Sequence, residues 1–402
     1  MMSGAELALL ALLKAALSGE RLQELPPLSQ EEVQSLFRLA FEHKIMPLIY
    51  DAGYQHFQRL PVRQSVRQQA MLQALKSVEF HKLYRMLLDA GLHPVVVKGI
   101  LCRKLYPNPD LRGSADEDLW VHPDEFDAAC TVMREFGMET TERNPDAYEF
   151  PFRKVGSPLY IELHRSLFPP DNRAYGMWND MFRHVFDSLY IETVDGTPLY
   201  TMAPGDHLLY LILHSLKHFM HSGFGIRQVC DICMFAAHHG NTIDWDALLE
   251  NCNKVNGGYF AAAIFEIGRQ YLNFDPKSCG YPASWRSMSV DVEALLQDLL
   301  CSGVYGSSSV TRMHSSNITL DAVAGNLQQG RGSASIFGSV FPSAKKLEAR
   351  FPYLRGRHWL VPFAWAQRLL QYCTETKSSD VIESVQIGSQ RVELLRQYGV
   401  IK

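Results

Sequence analysis

The chain of 402 residues lacks a surplus of charge of either sign: Lys and Arg total 39, Asp and Glu total 43, and the formal net charge is −4. Proteins that follow a polynucleotide or bind an anionic membrane carry clusters of Lys and Arg, so this balance argues against an extended nucleic-acid track. No apolar run reaches the ~20 residues that a membrane helix needs. We therefore expect a small molecule or another protein as the partner, and no membrane.

The marks of a secreted protein are also lacking. The first twenty residues are rich in Leu and Ala but have no positively charged start, and Glu6 and Lys14 interrupt them, which favours an amphipathic helix over a signal peptide. The eight cysteines are scattered, as expected for reduced thiols in the cytoplasm. Cys230 and Cys233 have the CxxC spacing of zinc ligands, but no second ligand pair follows, which favours buried cysteines on a helix.

Three parts of the chain differ in their patterns, and no internal repeat is found. Residues 1–90 show helical periodicity, residues 91–200 contain short β-branched runs, and residues 201–402 return to helix. A strand-rich region within a largely helical chain is typical of an α+β protein. We expect an N-terminal helical segment, a core domain with a mixed sheet, and a large helical C-terminal region.

Periodicity also predicts the individual elements. Strands are expected at 93–98, 116–121, 138–141, 148–153, 159–163 and 185–192. Helices are expected at 31–43, 63–90, 100–106, 125–136, 206–221, 229–239, 261–271, 290–300 and near 365–373. The apolar face of the second helix includes Met71, Leu75, Val78, Leu83 and Leu87. The Gly- and Ser-rich stretch 302–317 predicts a mobile loop.

Three acidic residues are the strongest candidates for chemistry. Asp116 and Asp118 stand two apart in an expected strand, so their carboxylates project from one face of the sheet. Glu162 lies among apolar neighbours in a second expected strand. Burial of three carboxylates together is costly unless cations neutralise them, and Mg²⁺ or Mn²⁺ suits such a site. The alternative is that the aspartates sit on an exposed strand end and that Glu162 faces solvent.

A possible phosphate site lies upstream of these acids. The strand that ends at Lys98 is followed by Gly99 and a short expected helix, an order that leaves backbone amides free to bind phosphate. Arg103, Lys104 and Arg112 add positive charge nearby, although each is equally compatible with a solvated surface position.

Together these motifs resemble the uncharacterised bacterial nucleotidyltransferase family of the polymerase-β-type superfamily. In that family a Lys-Gly after a strand precedes Arg-x-x-x-Asp-x-Asp-Leu-x-Val and a later Glu-Leu-His, matched here by 98–99, 112–121 and 162–164. The likeness continues through the segments HSLKHF, GIRQVCDI and FPS. Two positions depart from the pattern. Ile100 replaces the usual Ser or Gly, and Glu117 replaces an apolar residue and is expected to point to the opposite face of the sheet.

The resemblance implies a nucleotidyltransferase core and the transfer of a nucleoside monophosphate from ATP or another NTP to a hydroxyl of a small molecule or protein. Asp116 and Asp118 would hold the metal ion, and Glu162 would complete a second metal site or accept the acceptor's proton. The residues implied in nucleotide binding are Lys98, Gly99, Arg112 and His164. His164 would orient the acceptor or simply form a structural hydrogen bond to a carboxylate.

Two other functions remain open on the same fold: a non-catalytic, antitoxin-like or regulatory binding module, and a metal-dependent nucleotide hydrolase. His214 and His218 have the i, i+4 spacing of metalloprotease helices, but the catalytic Glu of that motif is absent, so packing or acceptor contact is expected instead. Arg227 and Asp231 are spaced to pair along one helix. The oligomeric state is left open.

Overall fold

The computed structural model describes residues 2–303 except 222, 287, 289 and 290, and further along residues 319–320, 322–323, 351–354, 357–365, 367 and 378–401. The expected loop at 302–317 and the expected helix near 365–373 lie largely outside these residues. In the described part, helices surround a seven-stranded mixed sheet, which confirms the α+β expectation. None of the described helices is long and apolar enough to cross a membrane.

The helices occupy most of both ends of the described chain. They are α1 Gly4–Leu17, α2 Gln30–Glu42, α3 Met46–Ala52, α4 Tyr54–Phe57, α5 Arg63–Asp89, α6 Ile100–Arg103, α7 Phe126–Glu135, α8 Pro204–Met220, α9 Ile226–His239, α10 Trp245–Lys254, α11 Gly258–Tyr271, α12 Ala283–Arg286, α13 Glu293–Ser302 and α14 Ser378–Gln397. Local sequence determines several starts. Ser3 and Ser29 form capping boxes with Glu6 and Glu32, and Pro204 occupies the first turn of α8.

The strands form one sheet in the order β3-β4-β5-β2-β1-β7-β6. They are β1 Val95–Val96, β2 Glu117–Trp120, β3 Glu139–Thr140, β4 Glu149–Arg153, β5 Tyr160–His164, β6 Tyr190–Val194 and β7 Thr197–Thr201. β2 pairs with β5 in parallel, as β1 does with β7, whereas the other neighbours are antiparallel.

The two faces of the sheet enter different hydrophobic cores. Val96 and Leu119 face a core that includes Phe80 and Leu87 of α5. Val95 and Val97, one residue to either side, belong to a larger core built from the N-terminal helices and from α8 to α13. The period of two along each strand therefore separates an α5 face from an α8 face.

The sheet departs from the expectation at its last two strands. The expected strand at 185–192 was wrong in its first half, because Gly176–Asp187 forms a 3₁₀-helical stretch and β6 begins only at Tyr190. β7 was not expected at all. It contains Pro198, a residue that argues against strand in a sequence pattern, and this proline pairs with Thr193 of the edge strand β6.

The long helix α5 confirms one part of its expected apolar face and contradicts the other. Leu83 and Leu87 are fully buried against the sheet. Met71, Leu75 and Val78 are exposed, because they lie on the side of α5 that faces away from its buried residues, which in these turns are Gln73 and Lys76. The helix itself was therefore predicted correctly, but its buried face was not, since polar residues occupy that face in these turns.

Candidate active site

The predicted acids lie on two neighbouring parallel strands. β2 and β5 pair so that Asp118 is opposite Glu162 and Trp120 is opposite His164, and these side chains share the α8 face. Nε2 of His164 lies 3.2 Å from Oδ1 of Asp118 and 3.9 Å from Oε2 of Glu162. Among the described residues, Asp118, Glu162 and His164 each offer one atom within 4.8 Å of the others, a group able to hold a metal ion.

Asp116 lies beside this group without being part of it. It precedes β2 directly and, two residues before Asp118, belongs to the same face. It is buried, and its charge contributes to raising the pKa of Glu162. The structure therefore brings Asp118 and Glu162 together with His164, and places Asp116 close enough to act electrostatically on them.

Lys98 provides the positive charge nearest to Asp118. Its Nζ lies 3.1 Å from Oδ2 of Asp118 and 3.1 Å from Nε2 of His214 on α8. Burial by itself would raise the pKa of Asp118, but the charge of Lys98 and the hydrogen bond with His164 outweigh burial and hold this pKa well below its usual range. Asp118 is therefore ionised, and Lys98 partly compensates its charge.

The pKa of Glu162 shifts in the opposite direction from that of Asp118. Its burial and the charges of Asp118, Asp116 and Glu149 raise its pKa well above the usual range. Glu149 lies opposite His164 in the β4–β5 pair, with Oε2 3.8 Å from Nδ1 of His164. The face thus holds more carboxylates than its cations compensate, and carboxylate oxygens are the ligands that Mg²⁺ and Mn²⁺ prefer. The donor set fits a hard divalent cation held by the acids.

Gly99 adopts a conformation that only glycine tolerates easily, with φ of +65°. A Cβ on this residue would lie 1.8 Å from Oε2 of Glu117. That carboxylate is fully buried on the α5 face, where it accepts hydrogen bonds from the Ile100 amide at 2.6 Å and from Oγ of Ser114 at 3.0 Å. Glu117 therefore holds the glycine turn in place from the α5 face of the sheet.

This contact corrects the expected phosphate cradle. The first amide of α6 does not remain free, because Ile100 donates it to Glu117. Glu117 points to the opposite face, as expected, and that face is packed: its carboxylate lies 3.5 Å from Nζ of Lys76 and 3.6 Å from Nη1 of Arg103. The charged residue between the two aspartates anchors β2, and Lys98 remains the residue of this turn that reaches the acids.

Arg112 is buried in an ion pair that the sequence did not predict. Its guanidinium binds both carboxylate oxygens of Asp231 on α9, with Nε 3.1 Å from Oδ1, and Tyr106 donates to the same Oδ1 at 2.8 Å. The suggested helical pair of Arg227 with Asp231 was wrong, because Arg227 donates to the carbonyl of Gly113. Arg112 links the core to α9 at a small cleft that Lys98 and His214 also line.

Helix α8 covers the acid face with basic side chains. His214 and His218 lie one turn apart with tilted rings whose centroids are 4.5 Å apart, and burial, followed by nearby positive charge, lowers the pKa of both well below the usual value. Burial also lowers the pKa of Lys217, although the charges of Glu149, Asp118 and Glu162 oppose this shift. The histidines are neutral, and His214 serves as a partner of Lys98.

Sequence reasoning missed Glu149 and Lys217 as parts of this site. Glu149 reaches it only through the antiparallel pairing of β4 with β5, which no spacing reveals. Lys217 lies within the segment HSLKHF, so the resemblance contained a signal, but its orientation depends on the packing of α8. The CxxC cysteines, Cys230 and Cys233, are buried and free on α9, as expected.

Comparison with known proteins gives one family. A model described as an uncharacterised nucleotidyltransferase matches residues 29–273. Comparison with curated proteins and with solved structures gives no match. The matched range covers more than half of the chain and includes the sheet, the acids, the glycine turn and helices α8 and α9. This chain belongs to the uncharacterised nucleotidyltransferase family.

Proposed function

We propose that the protein is a metal-dependent nucleotidyltransferase of the polymerase-β type that transfers a nucleoside monophosphate from an NTP to a hydroxyl of a small molecule or protein. The observation that carries this proposal is the pairing of Asp118 with Glu162 on adjacent parallel strands, with Asp116 on the same face and Lys98 in contact. A face with this excess of carboxylates is stable only when cations are nearby.

In the proposed reaction, the acceptor oxygen forms a bond to the α-phosphorus while the bond from that phosphorus to the bridging oxygen of the β-phosphate breaks, and pyrophosphate leaves. When bound to Asp116 and Asp118, Mg²⁺ or Mn²⁺ would neutralise phosphate charge and favour this departure. Lys98 is placed to contact the phosphates. Glu162 either receives the hydroxyl proton or is a further ligand, in which case the proton passes to water.

Two of the implied nucleotide-binding residues act through other residues in this proposal. His164 donates to Asp118 and so orients its carboxylate, as outer-shell partners of metal ligands do. Arg112 fixes α9 through Asp231 and so shapes the cleft beside Lys98 and His214. Gly99 allows the turn that brings Lys98 to the acids.

The proposal is tested with α-labelled NTPs, Mg²⁺ or Mn²⁺, and the protein and small-molecule fractions of a cell lysate. We expect label to enter one fraction, and we expect Asp118→Asn to lower the rate by at least about 100-fold, because loss of a metal ligand removes several kcal/mol of transition-state stabilisation. Asp124→Asn, which changes an exposed aspartate of the same core, is the matched control and should retain the rate.

The products separate the remaining candidate functions. Release of free nucleoside monophosphate without labelled acceptor would indicate a hydrolase. Binding of NTP that needs neither metal nor Asp118, measured by thermal shift, would indicate a binding module and contradict the proposal. A pH–rate profile of Glu162→Gln distinguishes the two roles of Glu162, since loss of a general base removes the acidic limb of the profile.

A further inference from the structure

A cavity of about 520 Å³ lies at the end of the sheet, outside the acid face itself. Its walls come from the end of α2, the first half of α5 and the segment that leads into β2. Small-molecule sites in proteins commonly enclose about 300–1,000 Å³. The cavity is therefore large enough for an organic molecule rather than for a few waters.

The cavity adjoins the strand ends that carry the acids. Ser114 and Gly113 line it, and Asp116 follows Ser114 by two residues, a span of at most about 7 Å. Pro158 lines it from the other side, two residues before β5 begins. The charge of Asp116 also acts on Lys44, a further lining residue. A molecule bound here would therefore have one end within reach of Asp116.

One lining side chain has an unused hydrogen-bond donor. Gln73 on α5 is 4% exposed, and its Oε1 accepts a hydrogen bond from the Ser114 amide at 2.8 Å. That bond fixes the orientation of the amide, because a backbone N–H requires the oxygen. Its Nε2 has no hydrogen-bond partner among the described residues. A buried donor without a partner is costly, and an acceptor atom on a ligand would remove this cost once the Gln73 side chain shifts toward the cavity to expose its Nε2.

The charged groups of the cavity are few and mixed. Lys76 is buried and already engaged, with Nζ 3.1 Å from Oγ of Ser114 and 3.5 Å from Glu117. Lys44 is exposed, and the described part of the chain gives its ammonium no ion pair. Glu42 is the one carboxylate among the lining residues described. The walls therefore favour a ligand with one anionic group and disfavour a polyanion.

The entrance is apolar. Phe41 and Leu72 line the cavity, and their side chains are 63% and 44% exposed. Large apolar side chains at the mouth of a cavity provide contact area for a carbon skeleton.

We propose that this cavity binds the acceptor of the transfer reaction, and that the acceptor is a small organic molecule with a hydroxyl and one anionic group, either carboxylate or phosphate. The anionic group binds Lys44 and the free donor of Gln73, the carbon skeleton contacts Phe41 and Leu72, and the hydroxyl lies toward Asp116. This inference rests on the proposed function, since it assumes nucleotide transfer at the acids.

The test uses the small-molecule extract of a lysate, freed of macromolecules and separated by anion exchange into neutral and anionic fractions. With α-labelled NTP and metal, we expect label in the anionic fraction only. Lys44→Gln and Leu72→Ala should each raise the half-saturating amount of that fraction at least about tenfold, while the thermal shift with NTP and metal stays unchanged. Phosphatase treatment of the fraction distinguishes a phosphate group, which it removes, from a carboxylate.

Two control variants test whether these effects are specific to the cavity, and different outcomes contradict the cavity inference and the proposed function. Met71→Ala changes an exposed residue one position from Leu72, and Lys277→Gln removes an exposed charge elsewhere; neither should change transfer. Label in the neutral or protein fraction, or equal saturation by all variants, would overturn the cavity inference alone. Absence of label from every acceptor would contradict the proposed function as well. Loss of Asp118-dependent NTP binding in the unaltered protein would overturn the proposed function instead.

Discussion

At the scale of single residues, the strand β2 uses its two faces for different tasks. Asp118 faces α8 and the reaction centre, and its neighbour Glu117 faces α5 and supports the glycine turn. Because successive side chains of a strand point to opposite faces, these two adjacent carboxylates are both buried without sharing a site. The same turn also brings Lys98 to Asp118.

We expect Gly99→Ala to lower the free energy of unfolding by at least about 2 kcal/mol, because a Cβ adds a left-handed backbone cost to a collision with Oε2 of Glu117. Gly91→Ala is the matched control, since Gly91 has φ of +77° but nothing within 4 Å of the added carbon. Gly91→Ala should lower the free energy of unfolding by only about 1 kcal/mol. Urea denaturation measures both, and equal losses would contradict a packing role for Gly99.

The sequence predicted the acids because a period of two is visible in the residues themselves. This period puts Asp116 and Asp118 on one face whichever strand pairs with β2, and the pairing of β2 with β5 adds Glu162 to that face. The ion pair of Arg112 with Asp231 joins residues 119 positions apart, so no local pattern contains it. Burial of Glu117 likewise depends on Lys76, which reaches it from another element.

At the scale of elements, helix α9 is attached to the segment that leads into β2 by a buried ion pair. We expect Asp231→Ala to cost about 3–5 kcal/mol of unfolding free energy, because Arg112 would then be buried without its partner. Glu266→Ala breaks the half-exposed pair with Arg269 and should cost less than about 1 kcal/mol. Chemical denaturation of both variants compares them, and a loss at Asp231 as small as that at Glu266 would contradict the anchoring role.

Helix α8 is attached to β1 through a neutral histidine, which predicts a pH dependence. His207 contacts the Val97 carbonyl at 2.9 Å, and burial lowers its pKa to about 4, below the 6.5 of an unfolded chain. The unfolded state therefore binds the proton more readily. The contribution of His207 is complete above pH 6.5 and is lost as pH falls toward 4, by about 3 kcal/mol in total.

Stability measured between pH 7 and pH 5 checks this prediction. His207→Gln should be less stable at neutral pH and should lose less stability on acidification than the unaltered protein. His238→Gln, at an exposed position, should follow the unaltered protein. Parallel pH curves for all three proteins would show that His207 is not the group responsible.

Elements were predicted well where one strong local pattern decides them, as for the strands on either side of the acids. The first half of α5 shows the limit. Its apolar residues Met71, Leu75 and Val78 follow helical spacing, yet they face solvent, because spacing defines a face and not the element that covers it. At β7, Pro198 argues against a strand in the sequence pattern, yet β7 forms and this proline lies opposite Thr193 of β6.

At the scale of the whole molecule, the N-terminal helices and the C-terminal half share one core. Leu9 and Leu12 of α1 belong to the same cluster as Phe260 and Ile264 of α11. The division of the chain at residues 90 and 200 remains a prediction from the sequence pattern. The packing joins the helices of the first part to those of the third. Local periodicity cannot show this, since contact between α1 and α11 spans most of the chain.

We therefore expect Leu12→Ala to lower the stability of both parts together, by about 2–5 kcal/mol for a fully buried leucine. Far-UV circular dichroism and tryptophan fluorescence should report one coincident transition at the lower midpoint. Leu7→Ala, on the exposed side of α1, should change stability by no more than about 0.5 kcal/mol. Two separate transitions in the Leu12 variant would indicate that the parts unfold independently.

Lys76 belongs to two structures at once. It forms part of the cavity wall, and its ammonium also pairs with Glu117, the residue between Asp116 and Asp118. Any ligand that draws this ammonium toward itself changes the electrostatic balance under the glycine turn. Thermodynamic linkage then makes the effect reciprocal. If a ligand in the cavity changes the affinity of the acid face for its own ligand by some factor, that second ligand changes the affinity of the cavity by the same factor.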